Sequence, residues 1–342
     1  MHRPDGVFQK SAMGCIAVAA LFSLSTGAQA ASHHGDTTQE NTQAEVTYSA
    51  TGQTISAIQN HLAPVQNAFD LPGAPPRESD PAGMAGGDDL FDWSGWASLG
   101  GGYNENTFTA TKTNGWNAAL TVGADTPIGG GATGGLLLSV TRDHTDTVYN
   151  TGTIDYTGVS VAPYFSFSIN DWLSADASFG GSYANSHQTR TAVGIVTGDY
   201  TTSSYFASAN LNAAKWMGSW LLSGRAGVNG SSSTRDAFTE SDATVNAASS
   251  SSMLQASLGG TIGYWAAPAL FYVSSTYVYD ISRPTPAAGA STDPDELRLS
   301  IGATLYGSGE TENITGGFSL SKTFLRDEHE STSAEANFRV KF

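Results

Sequence analysis

The chain has one cysteine in 342 residues, Cys15, and it lies in an apolar stretch near the N-terminus. No disulfide can form within the chain, so stability must come from packing and strand pairing. Charge is also scarce: Asp, Glu, Lys and Arg make up 13% of residues, against about a quarter in ordinary soluble domains. What charge there is runs acidic, to a net of −16, which makes nucleic acid a poor partner. Beyond residue 30 no stretch approaches the roughly twenty consecutive apolar residues of a membrane helix. These absences exclude a disulfide scaffold, a nucleic-acid binder and a helical membrane protein. An aromatic content of 10% excludes an acidic disordered chain as well.

What is present begins with an export signal. Arg3 and Lys10 precede an apolar run from Met13 to Leu24, followed by small residues and Ala28-Gln29-Ala30. This order predicts a signal peptide removed after Ala30, hence passage through the Sec translocon, and Cys15 leaves with it. Residues 31–43 are polar and are expected to be unstructured. Ile55, Ile58, Leu62, Val65 and Phe69 then recur at spacings of 3, 4, 3 and 4. They predict an amphipathic helix over about 51–69, which Pro64 must kink or shorten. Pro72, Pro75, Pro76 and Pro81 with several glycines mark a linker. The organisation is thus 1–30 signal, 31–90 helix and linker, and 91–342 a separate domain.

That domain is one pattern repeated. Twelve segments alternate apolar and polar residues with period two: about 93–103, 116–124, 135–142, 154–169, 172–185, 200–213, 219–229, 253–265, 270–281, 297–306, 314–324 and 332–342. In the last, Phe342, Val340, Phe338, Ala336 and Ala334 share one face, with Lys341, Arg339, Asn337 and Glu335 opposite. Connections after odd-numbered segments are longer and polar (104–115, 143–153, 186–199, 230–252, 282–296 and 326–331). Those after even-numbered segments are mostly short. Long and short ends alternate in this way around an outer-membrane barrel, with both barrel termini on the periplasmic side.

Three further features favour a barrel over a soluble sandwich. Every segment carries an apolar face, which lipid would cover. The opposite faces are Ser, Thr, Gly and Asn with scattered charge, so Asp176, Arg225, Arg298, Glu335 and Arg339 are expected to face a lumen. A final strand ending at the last residue would be an exposed edge unless the sheet closes. Trp93, Trp96, Trp172, Trp216, Trp220 and Trp265 fall near the short-turn ends and are expected to form an interfacial girdle, with Trp116 alone at the other end. The expected fold is all-β: a closed antiparallel twelve-stranded transmembrane β-barrel with a short N-terminal α-helix.

Residues from about Thr54 onward resemble the translocator domain of bacterial autotransporters, especially the alphaproteobacterial type. The resemblance rests on the short helix Gln53-Thr-Ile-Ser-Ala-Ile-Gln-Asn60, the Pro/Gly linker, the opening Phe91-Asp-Trp-Ser-Gly-Trp96 and the terminal aromatic. It implies outer-membrane insertion by the barrel-assembly machinery, which would read Phe342, Val340, Phe338, Ala336 and Ala334 as its signal. It also implies a helix threading the lumen and export of an N-terminal passenger, with outer-membrane lipid as the surrounding partner and no oligomer. Helices of some autotransporters are cut after an asparagine in the lumen, for which Asn60 and Asn67 are the candidates. Only about sixty residues separate Ala30 from the barrel, and no repeat of the usual passenger kind is visible among them.

Other chemistry is weakly signalled. Asp143-His144 and Ser186-His187 lie at the starts of long loops, where a barrel enzyme could hold its site, but adjacent residues on a strand point to opposite faces. His33-His34 lacks a third metal ligand. Gly100–Gly102 and Gly129–Gly131 lack the lysine and helix of a phosphate loop. No cofactor and no enzymatic activity are expected. The leading function is a pore for the chain's own N-terminal segment; a passenger-less, porin-like channel is the alternative, and a barrel enzyme the third.

Overall fold

The structure, a computed structural model, describes residues 37–68, 73–75, 93–192, 194–284 and 293–342. The signal peptide, His33-His34, Phe69 and most of the linker lie outside the described residues. One helix, α1 (Thr37–His61), precedes the strands β1 (Ser94–Asn106), β2 (Thr113–Gly129), β3 (Ala132–Thr147), β4 (Gly152–Asn170), β5 (Leu173–Thr191), β6 (Ile195–Met217) and β7 (Trp220–Arg235). A small hairpin, β8 (Phe238–Thr239) with β9 (Val245–Asn246), stands apart from the main sheet. The sheet continues with β10 (Ser249–Ala266), β11 (Ala269–Ser282), β12 (Asp295–Tyr306), β13 (Ile314–Phe324) and β14 (His329–Lys341).

Twelve of these strands form a closed barrel, each antiparallel to the next. Closure joins β1 to β14, with Ser94 opposite Lys341 and Asn106 opposite His329. The backbone N–H of Phe342 adds a hydrogen bond to the Trp93 carbonyl at 2.8 Å. No open edge remains in the main sheet, as a membrane-spanning sheet requires.

The two faces are inverted relative to a soluble protein. Leu99, Leu120, Val140, Val159, Phe165, Phe179, Ile262, Phe271, Ile301 and Phe318 are exposed on the outside. Ser98, Thr121, Ser139, Ser160, Ser178 and Thr304 are buried on the inside. Interior hydroxyls pair across strands: Thr121 with Ser139 at 2.8 Å, Ser178 with Ser208 at 2.8 Å, and Ser300 with Ser321 at 2.7 Å. Such pairs satisfy polar groups shut away from bulk water. An apolar exterior around a polar interior suits lipid outside and a lumen within.

The two ends of the barrel differ. At one end the turns are short, as at Gly130-Gly131, where Gly129, Gly130 and Gly131 all take positive φ (91°, 63° and 78°) that side chains with a Cβ rarely adopt. At the other end several of the expected long loops are much shorter among the described residues. Residues 143–147, 186–191, 195–199 and 230–235 continue the ladder as paired ribbon, leaving only 192–194 between β5 and β6. The reason is physical: outside the apolar band both faces of a strand are polar, so the alternation fades while backbone pairing continues.

Candidate functional site

The lumen is occupied by α1. The helix was expected over 51–69, after an unstructured 31–43; it instead spans Thr37–His61. Polar residues of its first turns find partners on the barrel wall. Gln43 is hydrogen-bonded to Gln188 and to Arg235, Glu40 lies 3.5 Å from Arg235, and Thr42 lies 3.5 Å from the Tyr149 hydroxyl. Composition alone does not reveal such partners. At the far end Pro64, which has no N–H to donate, follows a loose turn held by Leu62 N–H to the Ile58 carbonyl at 2.9 Å.

Three apolar clusters fix the helix and the elbow that follows it. Val46 and Ala50 pack on Ile154, Tyr156 and Ala184 at the ribbon end. Ile55, Ala57 and Ile58 pack midway on Trp96, Leu137, Ala162, Tyr164 and Phe206. Beyond the helix, Val65 and Ala68 pack on Ala214, Trp216, Leu221, Leu270 and Tyr306 at the short-turn end. The Trp216 indole donates to the Ala68 carbonyl at 3.0 Å and the Tyr306 hydroxyl to the Val65 carbonyl at 2.5 Å. This elbow is thereby packed against the wall at the short-turn end.

Polar contacts finish the attachment. Asp125 sits at the centre of one group, 2.6 Å from His61 Nε2, accepting from the Tyr164 hydroxyl at 2.8 Å and from Ser94, with Arg339 at 3.5 Å. The His61 ring stacks on Trp96 with centroids 4.3 Å apart, and the Trp96 indole donates to the Tyr164 hydroxyl at 2.6 Å. Room for these rings comes from two wall glycines: a Cβ on Gly123 would stand 2.5 Å from Trp96, and one on Gly135 would stand 2.2 Å from Tyr164.

The charged residues expected in the lumen occupy three different settings. Arg225 donates to the Gln59 carbonyl at 2.8 Å and to Asn212 at 2.6 Å, and Asp176 accepts from Asn210 and Asn212, both at 2.6 Å. Glu335 accepts from Asn60 and, at 2.8 Å, from Ser98; Arg339 donates to Asn67. Arg298 pairs with Glu296 at 2.8 Å; it lines a cavity of about 610 Å³ between α1 and the barrel wall, which includes β10–β14 and parts of β1, β2, β3 and β7. Asn41, Glu45, Ser49 and Gln53 present the polar side of the helix to that space.

The tryptophans require a correction. Trp93, Trp172 and Trp220 are exposed, but Trp96 and Trp216 are buried, and Trp265 turns inward onto Tyr306 with centroids 5.7 Å apart. Parity carried the signal: Trp96 shares a face with Ser94 and Ser98, and Trp216 with Asn210 and Asn212. The terminal strand keeps Phe338 and Phe342 exposed, with Ala334 and Ala336 on the same outer face and Val340 half-buried there. Asp143 and Ser186 are buried inward, whereas His144 and His187 project outward. At the ribbon end Asp242 is held below the usual carboxylate range by Thr244 and by Arg190.

Comparison with known proteins agrees with this geometry. The family model of the autotransporter beta-domain matches residues 95–321. This chain belongs to that family. The translocator domain of autotransporter NalP from Neisseria meningitidis has a similar fold: TM-score 0.65 at 12% identity, covering 86% of this chain and 99% of that one. The beta domain of the Bordetella autotransporter BrkA gives 0.59 at 15%, covering 73% and 99%. The transport unit of AIDA-I from Escherichia coli gives 0.54 at 14%, covering 73% and 90%. No curated protein sequence matches the chain. The protein is an outer-membrane β-barrel of the autotransporter-translocator kind, and the pore holds its own N-terminal segment.

Proposed function

We propose that the barrel passes the segment preceding α1 to the cell exterior and then retains α1 as its plug, with the ribbon end outside and the short-turn end in the periplasm. The direction of α1 carries this reading. Gln43 lies among ribbon-end residues of β5 and β7, and His61 meets Asp125 near the short-turn end of β2. A chain threaded that way has the N-terminal side of α1 at the ribbon end.

The wall chemistry supports transit followed by capture. Ser, Thr and Asn side chains line the lumen and offer an unfolded chain replaceable hydrogen bonds without a sticky apolar surface. Once α1 forms, its apolar stripe meets Trp96, Leu137, Ala162 and Phe206 and stays. The work is transport and anchoring rather than catalysis. In the same reading the Sec translocon delivers the chain, and the barrel-assembly machinery inserts it by recognising β14 and Phe342. An epitope placed after Ala31 should be labelled by antibody on intact cells. Correctly inserted protein that gives no surface signal would refute the proposed direction.

A further inference from the structure

Residues 236–248 are an excursion that the barrel wall does not need. The β7–β10 ladder already begins with Arg235 opposite Ser249, and β8 pairs with β9 in a sheet of its own. This hairpin folds inward. Phe238 is buried against the Tyr200 ring, centroids 5.1 Å apart, on the lumen-facing side of β6. A Cβ on Gly198 would stand 2.7 Å from the Phe238 ring. Backbone bonds from Ser241 N–H to the Thr197 carbonyl at 2.8 Å, and from Asp236 N–H to the Thr201 carbonyl at 3.0 Å, tie the hairpin to β6. We propose that the hairpin is a latch on the N-terminal turns of α1. It fixes them through Gln188 and Arg235, and its release frees them while the rest of the plug stays seated. The latch rests on α1 being the retained plug, and not on which way the barrel faces.

The first argument is that Gln43 is held at both ends by residues that the hairpin itself holds. The Gln43 side-chain amide donates to Gln188, and its carbonyl accepts from Arg235. Gln188 in turn donates to Glu240 of the hairpin at 2.9 Å. Arg235 lies over the Phe238 ring, 5.2 Å from its centroid, and donates to the Ala247 carbonyl at 2.6 Å. Arg190 donates to the same Glu240 carboxylate at 2.6 Å. Gln43, Gln188, Arg235 and Glu240 are all buried. Losing one partner therefore leaves a buried polar group unpaired, so the four side chains hold or release together.

The second argument is that α1 is gripped unevenly along its length. Ile55, Ala57 and Ile58 pack among Trp96, Leu137, Tyr164 and Phe206, and the elbow beyond them packs on Trp216, Leu270 and Tyr306. Nearer the ribbon end the apolar contacts shrink to Val46 and Ala50 on Ile154, Tyr156 and Ala184. On the other side of the helix Asn41, Glu45 and Ser49 border the cavity. Glu45, half exposed, stands 3.9 Å from His329 across it. The N-terminal turns thus depend on the polar hold at Gln43 and have space to move into when that hold is lost.

The test uses the full chain in phosphatidylcholine vesicles and follows hydrogen exchange of the α1 backbone amides. Glu240→Ala should speed exchange over residues 42–50 by about 10–100-fold, the range for losing a hydrogen bond to a charged group. Residues 55–61 should stay as protected as in the wild type. Gln43→Ala should reproduce the effect, and adding Glu240→Ala to it should bring little more, because both act through one set of contacts. Thr234→Ala, on the outer face beside Arg235, should change nothing. Unchanged exchange over 42–50 in Glu240→Ala overturns the latch. So does equal acceleration over 55–61, or full multiplication of the Gln43 and Glu240 effects. If Glu240→Ala fails to fold, Phe238→Ala decides: it should speed exchange over 42–50, and no change there overturns the latch equally. Protection at 55–61 reports the seated plug separately, so failure of the latch leaves the plug and the direction of the pore untouched.

Discussion

His61 and Asp125 join the end of the lumenal helix to the barrel wall through a 2.6 Å contact, with both side chains almost wholly buried. Removing the carboxylate leaves His61, Tyr164 and Arg339 facing one another without their shared acceptor. Asp125→Ala should cost about 3–5 kcal/mol, the range for breaking a buried pair. The unfolding temperature of the purified barrel checks this. A loss under 1 kcal/mol would show that the site relaxes or admits water.

The elbow after the helix packs on the wall at the short-turn end and is expected to close the pore there. Val65→Ser with Ala68→Ser should therefore raise single-channel conductance in planar bilayers. Ile58→Ala should instead lower stability by about 2–5 kcal/mol while conductance stays near wild type. If the Ile58 variant opens the pore and the elbow variant does not, the seal has been misplaced.

Gly123 and Gly135 leave space for the Trp96 and Tyr164 rings. Gly135→Ala places a methyl inside the Tyr164 ring position and should destabilise by about 1–3 kcal/mol through overpacking. Combined with Tyr164→Ala, the double variant should lose less than the sum of the two single losses, since the sites are in contact. Thermal unfolding of the double-mutant cycle measures this coupling; simple additivity would argue against contact.

The strands were legible wherever lipid lies outside, because an apolar face against a polar one forces period two. Leu297, Leu299, Ile301 and Leu305 display it without interruption. Legibility ended where that contrast ended. Thr145 and Asp146, or Gln188 and Thr189, are polar on both faces, so ribbon resembled loop. The start of α1 was hidden for the same reason, since Gln43 and Thr42 satisfy a polar wall that the helical stripe does not register. Trp96 and Trp216 were placed by their distance from a turn, whereas their parity with neighbouring Ser and Asn decides which way they point.

The closing pair of strands tests assembly. Phe342 contributes an exposed ring and a backbone bond to Trp93, so its deletion shortens the β1–β14 ladder at the short-turn end. Outer-membrane levels of the truncated chain should fall severalfold, with unassembled protein accumulating in the periplasm. Cell fractionation and immunoblotting would show it. Unchanged levels would remove Phe342 from the assembly signal.

One consequence of unequal strand lengths concerns how anything leaves this barrel. β4, β5 and β6 run to 19, 19 and 23 residues, while β12, β13 and β14 have 12, 11 and 13. The mouth is therefore cut on a slant, like a quill, and α1 packs along the tall side. A segment attached ahead of Thr37 would emerge against that parapet instead of from the centre of a level ring. If the ribbon end faces outward as proposed, the residues of such a segment nearest Thr37 would be steered toward one side of the barrel's footprint, giving it a fixed bearing on the membrane.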